Sequence, residues 1–278
     1  MKTALVACEK HDGLEAVLAA TRLLMQRFQC YAEGAATITG FTEIAAMAPA
    51  GAAPVLLEMP DDSKDVAELK SAFEAAMRGG GMTGAGPSRS GPSFAWRGDG
   101  SLNDFAFAAR ARIFDVAVLA RPVSGKPRPR MSLLEATLFD SGRPVLIAPP
   151  TAPQNLGEKV VIGWNGSTET ARIVAFSMPF LARAKEVMVL TVDDGSLMGP
   201  PGHMLASHLD ANGINASHKT VTQPGGNAGP TILAEARAFG ADLVVKGAYT
   251  TSRLRQMIFG GATSHILWNA EVPVLMAH

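Results

Sequence analysis

The residues best suited by type and spacing to do chemistry lie near the C-terminus, between Ala241 and His265. A short apolar run, Leu243 to Val245, reads as a buried parallel strand. It ends at Gly247, where a residue without a Cβ lets the chain turn sharply at the carboxyl edge of a sheet. Gly260-Gly261 then comes directly before Ala262-Thr-Ser-His-Ile-Leu-Trp-Asn269, which reads as a helix with Thr263 or Ser264 capping its first turn. The unpaired N–H groups and the positive dipole end of such a helix point at whatever sits before it, so the chemistry on offer is anion binding, phosphate above all. Strand–loop–helix corners of this kind are common in α/β proteins, and the pattern by itself is not specific.

Other candidates carry less. Arg121, Lys126, Arg128 and Arg130 form a basic, proline-rich cluster that reads either as a solvated loop or as an anion contact. His203 and His208 are five apart, do not share a helix face well and have no third ligand nearby. The chain has no Walker A motif, no G-x-S-x-G elbow and no recognisable Ser-His-Asp order. Cys8 and Cys30 lack metal or C-x-x-C spacing and are expected to be reduced thiols of a cytosolic protein. Trp96, Trp164 and Trp268 read as core or cleft-wall residues rather than a stacking platform.

The elements that must position these residues alternate between strand and helix. The pattern predicts strands at Ala4–Ala7, Tyr31–Ala35, Val55–Met59, Phe94–Arg97, Val116–Ala120 and Pro144–Ala148. It predicts helices at Gly13–Phe28, Glu43–Ala48, Asp61–Arg78 (capped by Asp61 or Asp62), Asn103–Ile113 and Met131–Phe139. The glycine- and serine-rich stretch Gly79 to Pro92 is expected to be a mobile loop without packed structure. Residues 148 to 157 form a linker by composition, after which the pattern restarts. Strands follow at Lys159–Gly163, Val187–Val192, Ile214–Val221, Leu243–Val245 and Val272–Ala277. Helices follow at Thr168–Leu181 (capped by Thr168), Gly202–Ala211 and Pro230–Phe239.

The two halves repeat one another. Ala111-Arg-Ile-Phe-Asp-Val-Ala-Val-Leu119 matches Ala236-Arg-Ala-Phe-Gly-Ala-Asp-Leu-Val-Val245, Arg143-Pro-Val-Leu-Ile-Ala-Pro149 matches Val272-Pro-Val-Leu-Met-Ala-His278, and Leu5 to Glu9 matches Val161 to Asn165. The fold class expected is α/β: two tandem, five-stranded, parallel-sheet, doubly wound domains at 1–150 and 158–278, packed as a pseudo-dimer. The apolar strands at 145–148 and 274–277 would be hazardous as open edges, and pairing them antiparallel removes both. In such sheets ligands bind beyond the carboxyl ends of the strands at the switch point, which in the second half brings Gly163-Trp164-Asn165-Gly166 to Gly247. On its own, Asn165-Gly166-Ser167 reads as a turn and helix cap. The first half has no glycine pair at the matching distance and is assigned a structural role.

Gly247-x2-Thr250-x9-Gly260-Gly261, after a strand and before Val272-Pro-Val-Leu-Met-Ala277, resembles the nucleotide loop of the universal stress protein family, whose pattern is Gly-x2-Gly-x9-Gly-Ser/Thr. The chain departs from it at Thr250, where a second glycine is expected, and at Gly261, where a hydroxyl residue is expected; Thr263 supplies a hydroxyl two residues later. The resemblance implies a Rossmann-like fold of the adenine nucleotide alpha hydrolase type with strand order 3-2-1-4-5. It also implies an ATP or AMP site, with Mg, in the second half only. There the position of Asn165 is commonly a ribose-contacting aspartate, and Val192 would hold adenine through its backbone. The nucleotide-binding residues implied are Gly163, Trp164, Asn165, Val192, Gly247, Thr250, Gly260, Gly261, Ala262 and Thr263.

Composition bounds the partners. Lys plus Arg equals Asp plus Glu at 25 each, so no global field points to nucleic acid or an anionic membrane. No apolar run approaches the length of a bilayer span, and the N-terminus lacks a secretory pattern, so a cytoplasmic location is expected. Three readings follow: a regulatory stress-response module that binds adenine nucleotide, with a homodimer as a further assembly; a scaffold without nucleotide; and a slow ATPase or related hydrolase. Against the last, no paired carboxylates or nucleophile–base pair flank the loop, and no catalytic residue is assigned.

Overall fold

Runs of Val, Ile, Leu and Ala bounded by glycine, proline and acidic residues form strands that are buried on both faces, as a parallel sheet requires. The computed structural model describes residues 1–38, 62–84, 86–87, 91–193, 195, 199–223, 225–248 and 261–278. The first half runs β1 (Thr3–Cys8), α1 (Leu14–Phe28), β2 (Tyr31–Ala36), α2 (Ser63–Gly79), β3 (Ser93–Trp96), α3 (Asp104–Ala111), β4 (Val116–Ala120), α4 (Met131–Asp140) and β5 (Val145–Ala148). The second runs β6 (Lys159–Gly163), α5 (Thr168–Leu181), β7 (Glu186–Asp193), α6 (Gly202–Ala211), β8 (Ala216–Thr222), α7 (Ala228–Phe239), β9 (Leu243–Gly247), α8 (Gly261–Asn269) and β10 (Val274–Ala277).

The strands form one ten-stranded sheet in the order β3-β2-β1-β4-β5-β10-β9-β6-β7-β8. Each half has the expected 3-2-1-4-5 order, and all its pairings are parallel. The halves meet at β5 and β10, which pair antiparallel with Val274 opposite Ile147, Leu275 opposite Leu146 and Met276 opposite Val145. Neither apolar strand is left as an edge, which is the pseudo-dimer expected from sequence.

The same side chains repeat in both halves. The Asp115 carboxylate accepts from the backbone N–H groups of Lys2 and Thr3, and Asp242 accepts from those of Glu158 and Lys159. Each aspartate thus ties the start of its half's first strand to the start of its fourth. The registers make Ala120 and Gly247 equivalent, because they pair with Ala148 and Ala277 respectively. Likewise Val6 pairs with Val118 as Ile162 pairs with Val245, so Glu9 is the counterpart of Asn165 and Leu119 that of Lys246.

Two apolar layers cover the sheet. One face packs against α1, α2, α5 and α6, and the other against α3, α4, α7 and α8. On the first face the halves share core: Phe28 and Phe180 meet edge to face at 4.7 Å. Beside them the Arg27 guanidinium donates to the carbonyls of Gly157 (2.7 Å) and Arg183 (2.6 Å). Leu156, within the sequence-defined linker, is itself buried in this layer.

Several local expectations need correction. Met82 is buried and Thr83 bridges Ser93, so the start of the stretch read as unpacked loop is part of the core and sheet. Asp62 stands at the N-cap of α2 without capping it, its carboxylate taken by the Ser101 hydroxyl. Ser167, not Thr168, caps α5 by accepting from Thr170 N–H at 3.2 Å, because Asn165 has already turned the chain one residue earlier. Thr263 and Ser264 lie inside α8 and do not cap it. The helix expected at 43–48 and the strand at 55–59 fall outside the described residues, as do Thr250 and Gly260.

Candidate functional site

The carboxyl edge of the second half gathers most of the described residues that the sequence singled out. Gly163 closes β6 and Gly247 closes β9, with Gly163 paired to Lys246 in register. Val192, half-buried near the end of β7, pairs with Val221 of β8 and packs on the second apolar layer. Helices after parallel strands begin at this same edge, so the N-termini of α7 and α8 face it. Those two helices touch in their first turns: a Cβ on Gly229 would lie 3.0 Å from the Ala262 carbonyl and 2.6 Å from the His265 Cβ. Asn227 caps α7 by accepting from Gly229 N–H at 2.8 Å and lies beside Gly261, which is exposed at the start of α8. Thr263, two residues further on, is buried.

The polar residues between β6 and α5 are largely committed within the protein. Asn165 Oδ1 accepts from Ser167 N–H at 3.2 Å and from the Thr170 hydroxyl. Trp164 is buried in the first apolar layer and its indole N–H donates to the Pro200 carbonyl at 2.7 Å, so its ring is a core element rather than a wall of the crevice. Gly166 has φ +72°, and its backbone rests on that of Gly199. Gly247, where the sequence allowed a sharp turn, is not among the glycines with positive φ. It is bare because α5 starts against it: a Cβ there would fall 2.7 Å from Thr170 N and 2.8 Å from the Glu169 carbonyl carbon.

The residue missed in the sequence is Lys246. It is 6% exposed, and its methylene chain fills the space that a Cβ on Gly163 would enter, with Ile232 alongside. Its ammonium donates to the Gly247 carbonyl at 3.1 Å. Among the described residues no carboxylate lies within ion-pair distance of it; the ion pairs all involve other groups. Burial pulls its pKa down from 10.5 to about 8, opposed only by the charge of Glu169. A lysine in a Leu-Val-Val-Lys-Gly strand buried on both faces was the available signal, since lysine is almost never buried without a partner.

The equivalent crevice of the first half is filled. Glu9, the counterpart of Asn165, is 3% exposed and accepts from Arg130 through Nε at 2.6 Å and through the backbone N–H at 3.1 Å. Arg130 also pairs with Asp104, and Arg128 stands 3.9 Å from Glu9. What remains between Ala7, Glu9, His11, Ala120 and Arg130 has room for a water-sized group. Arg121 reaches across to the other half and donates to the carbonyls of Leu267 and Trp268, at the C-terminal end of α8. Lys126 pairs with Asp12. The basic cluster is therefore divided: Arg121 and Arg130 are held by carbonyls and carboxylates of the protein itself, whereas Lys126 and its partner Asp12 are exposed, as a solvated loop would have them.

Residues 157–278 match the model of the Universal stress protein family. No curated protein matches the chain by sequence. Among solved structures, the chain is similar to a universal stress protein from Archaeoglobus fulgidus DSM 4304, with a TM-score of 0.71, 13% identity, and 98% of this chain and 95% of that one covered. A protein provisionally described as a universal stress protein from Pseudomonas aeruginosa UCBPP-PA14 gives 0.56 and 15%, covering 100% and 93%. The cytoplasmic domain of a prokaryotic cation chloride cotransporter gives 0.50 and 10%, covering 99% and 95%. At these identities the likeness establishes the fold across both halves and nothing finer. Among the described residues no helix is long and apolar enough to cross a membrane.

Proposed function

Starting from a chain whose C-terminal half belongs to the universal stress protein family, we propose a stress-response module that binds one adenine nucleotide, ATP or AMP, in that half alone. The observation that carries this reading is the asymmetry between the two crevices. The first is occupied by the Arg130 guanidinium locked to Glu9 and Asp104. The second offers two adjoining helix N-termini, an exposed Gly261 and a buried cation, Lys246, with no carboxylate beside it among the described residues. Such an arrangement favours an anion over a neutral ligand. Gly163, Asn165, Val192, Gly247, Ala262 and Thr263 would frame the nucleotide by position. Trp164 and Thr263, whose side chains are buried, would contribute only through their backbone groups.

The test is calorimetry with ATP and AMP on the whole chain, together with mass spectrometry of any ligand released on denaturing the purified protein. One nucleotide per chain is expected, and Gly261→Val, which puts a branched side chain at the mouth of α8 where Asn227 already stands close, is expected to abolish binding. Equal binding by wild type and Gly261→Val would remove the site from this edge. A second reading, a scaffold that binds no nucleotide, is favoured by Asn165: its acceptor oxygen is already taken by Ser167 and Thr170. Wild-type protein that neither carries nor binds nucleotide would establish that alternative.

A further inference from the structure

We propose that Lys246 is the residue that makes the second-half crevice selective for phosphate-bearing anions; this rests on the reading of that crevice as a ligand site. The fold does not need a lysine here. The counterpart of Lys246 in the first half is Leu119, 2% exposed and part of the same apolar layer. An amine placed where the repeat puts a leucine loses its hydration and gains little in return, since one of its three donors meets a carbonyl and none meets a carboxylate among the described residues. A buried cation left in that state is a cost to folding, and an anionic ligand is what removes it.

The location specifies the kind of anion. The stem of Lys246 runs beside Gly163 at the end of β6, and its ammonium reaches the last carbonyl of β9, at the edge where α7 and α8 begin. Each helix start carries about half a positive charge, and the two touch through Gly229 and Ala262, with Asn227 between α7 and Gly261. Together with the lysine this amounts to about two positive charges at one edge, offset in part by Glu169 in the first turn of α5, and a phosphate group can accept from the ammonium and both helix starts at once. A guanidinium occupies the corresponding crevice of the first half, where the balancing carboxylates Glu9 and Asp104 are the protein's own. In the second half Glu9 is replaced by the neutral Asn165; Glu169 in the first turn of α5 acts on Lys246 by charge but lies outside ion-pair distance, so direct pairing of the ammonium is left to the ligand.

The experiment compares wild type with Lys246→Leu, and with Lys246→Met as a second variant of different shape. Each protein is melted without ligand and titrated calorimetrically with ATP, adenosine and inorganic pyrophosphate. Both variants are expected to melt at or above the wild-type temperature, to bind ATP at least about tenfold more weakly, and to lose pyrophosphate, with adenosine unchanged. Pyrophosphate binding that depends on Lys246, in a protein that takes no ATP, would support the anion assignment and remove the nucleotide reading. Unchanged ATP and pyrophosphate affinities in the variants would overturn the inference while leaving nucleotide binding intact. It is equally overturned if both variants melt well below wild type, since the ammonium is then a structural donor to Gly247. An equal loss of adenosine and ATP, or a wild type that binds neither ATP nor pyrophosphate, overturns it too.

Discussion

Replacing Arg130 with Met is expected to destabilise the protein by about 3–5 kcal/mol, the range seen when one partner of a buried ion pair is removed. Arg130 is 8% exposed, and so is Asp104, while Glu9 is 3% exposed. The substitution keeps most of the side-chain volume, so a packing defect is not the cause. What it leaves is two buried carboxylates, with Arg128, at 3.9 Å from Glu9, as the nearest other cation among the described residues. Urea denaturation followed by circular dichroism measures the change, since one continuous sheet joins both halves. The same loop supplies the control. Lys126 pairs with an Asp12 side chain that is 91% exposed, and Lys126→Ala is expected to leave the midpoint where it was. Neutralising the stranded acids in Glu9→Gln, Asp104→Asn, Arg130→Met should recover part of the loss, because the cost lies in the unpaired charge rather than in the missing attraction. A change below about 1 kcal/mol in Arg130→Met, or an equal effect from Lys126→Ala, would refute the claim that this network seals the first crevice.

Other outcomes follow from the same structure. Lys246 has a pKa of about 8 in the folded chain against 10.5 when solvated, so between those values the unfolded chain binds more protons and stability rises with pH. The gain, up to about 3 kcal/mol, is read as the wild-type minus Lys246→Leu difference in unfolding free energy between pH 7 and pH 10. Taking the difference cancels Cys8, Cys30 and Tyr31, whose pKa values burial raises to about 12, 11 and 12, and a flat difference would contradict the assignment. Gly247→Ala drives a methyl group into the backbone of the first turn of α5, which cannot yield as a side-chain tip can; a loss of about 1–3 kcal/mol is expected in a thermal or urea melt. An unchanged melt would mean that α5 shifts freely on β9.

The sequence by itself determined the fold. Apolar runs bounded by turn residues located most of the described strands to within a few positions, because burial on both faces of a parallel sheet demands an uninterrupted run, while the exposed edge strand β8, Ala-Ser-His-Lys-Thr-Val-Thr, was legible only from its alternation. Matching segments around Asp115 and Asp242 disclosed the repeat, and two apolar strands that had to be hidden implied the β5–β10 join. What the tertiary structure alone decided is who partners whom. Arg130 and Glu9 are separated by 121 positions, and nothing local in Lys126-Pro-Arg-Pro-Arg130 distinguishes a solvated arginine from one clamped between buried acids. Gly247 read as a turn glycine because its neighbours in sequence say nothing of α5, which is laid against it only when β6 and β9 pair. The α5 cap moved from Thr168 to Ser167 because either hydroxyl can cap, and the Asn165 turn chose. Lys246 was visible as a charge in an apolar run, but its counterpart Leu119, and hence its cost, appeared only when the registers of the two halves were set side by side. Strand and helix periods are local and are written along the chain. Charge compensation is a property of places brought together by long-range pairing, and those places do not exist until the sheet has formed.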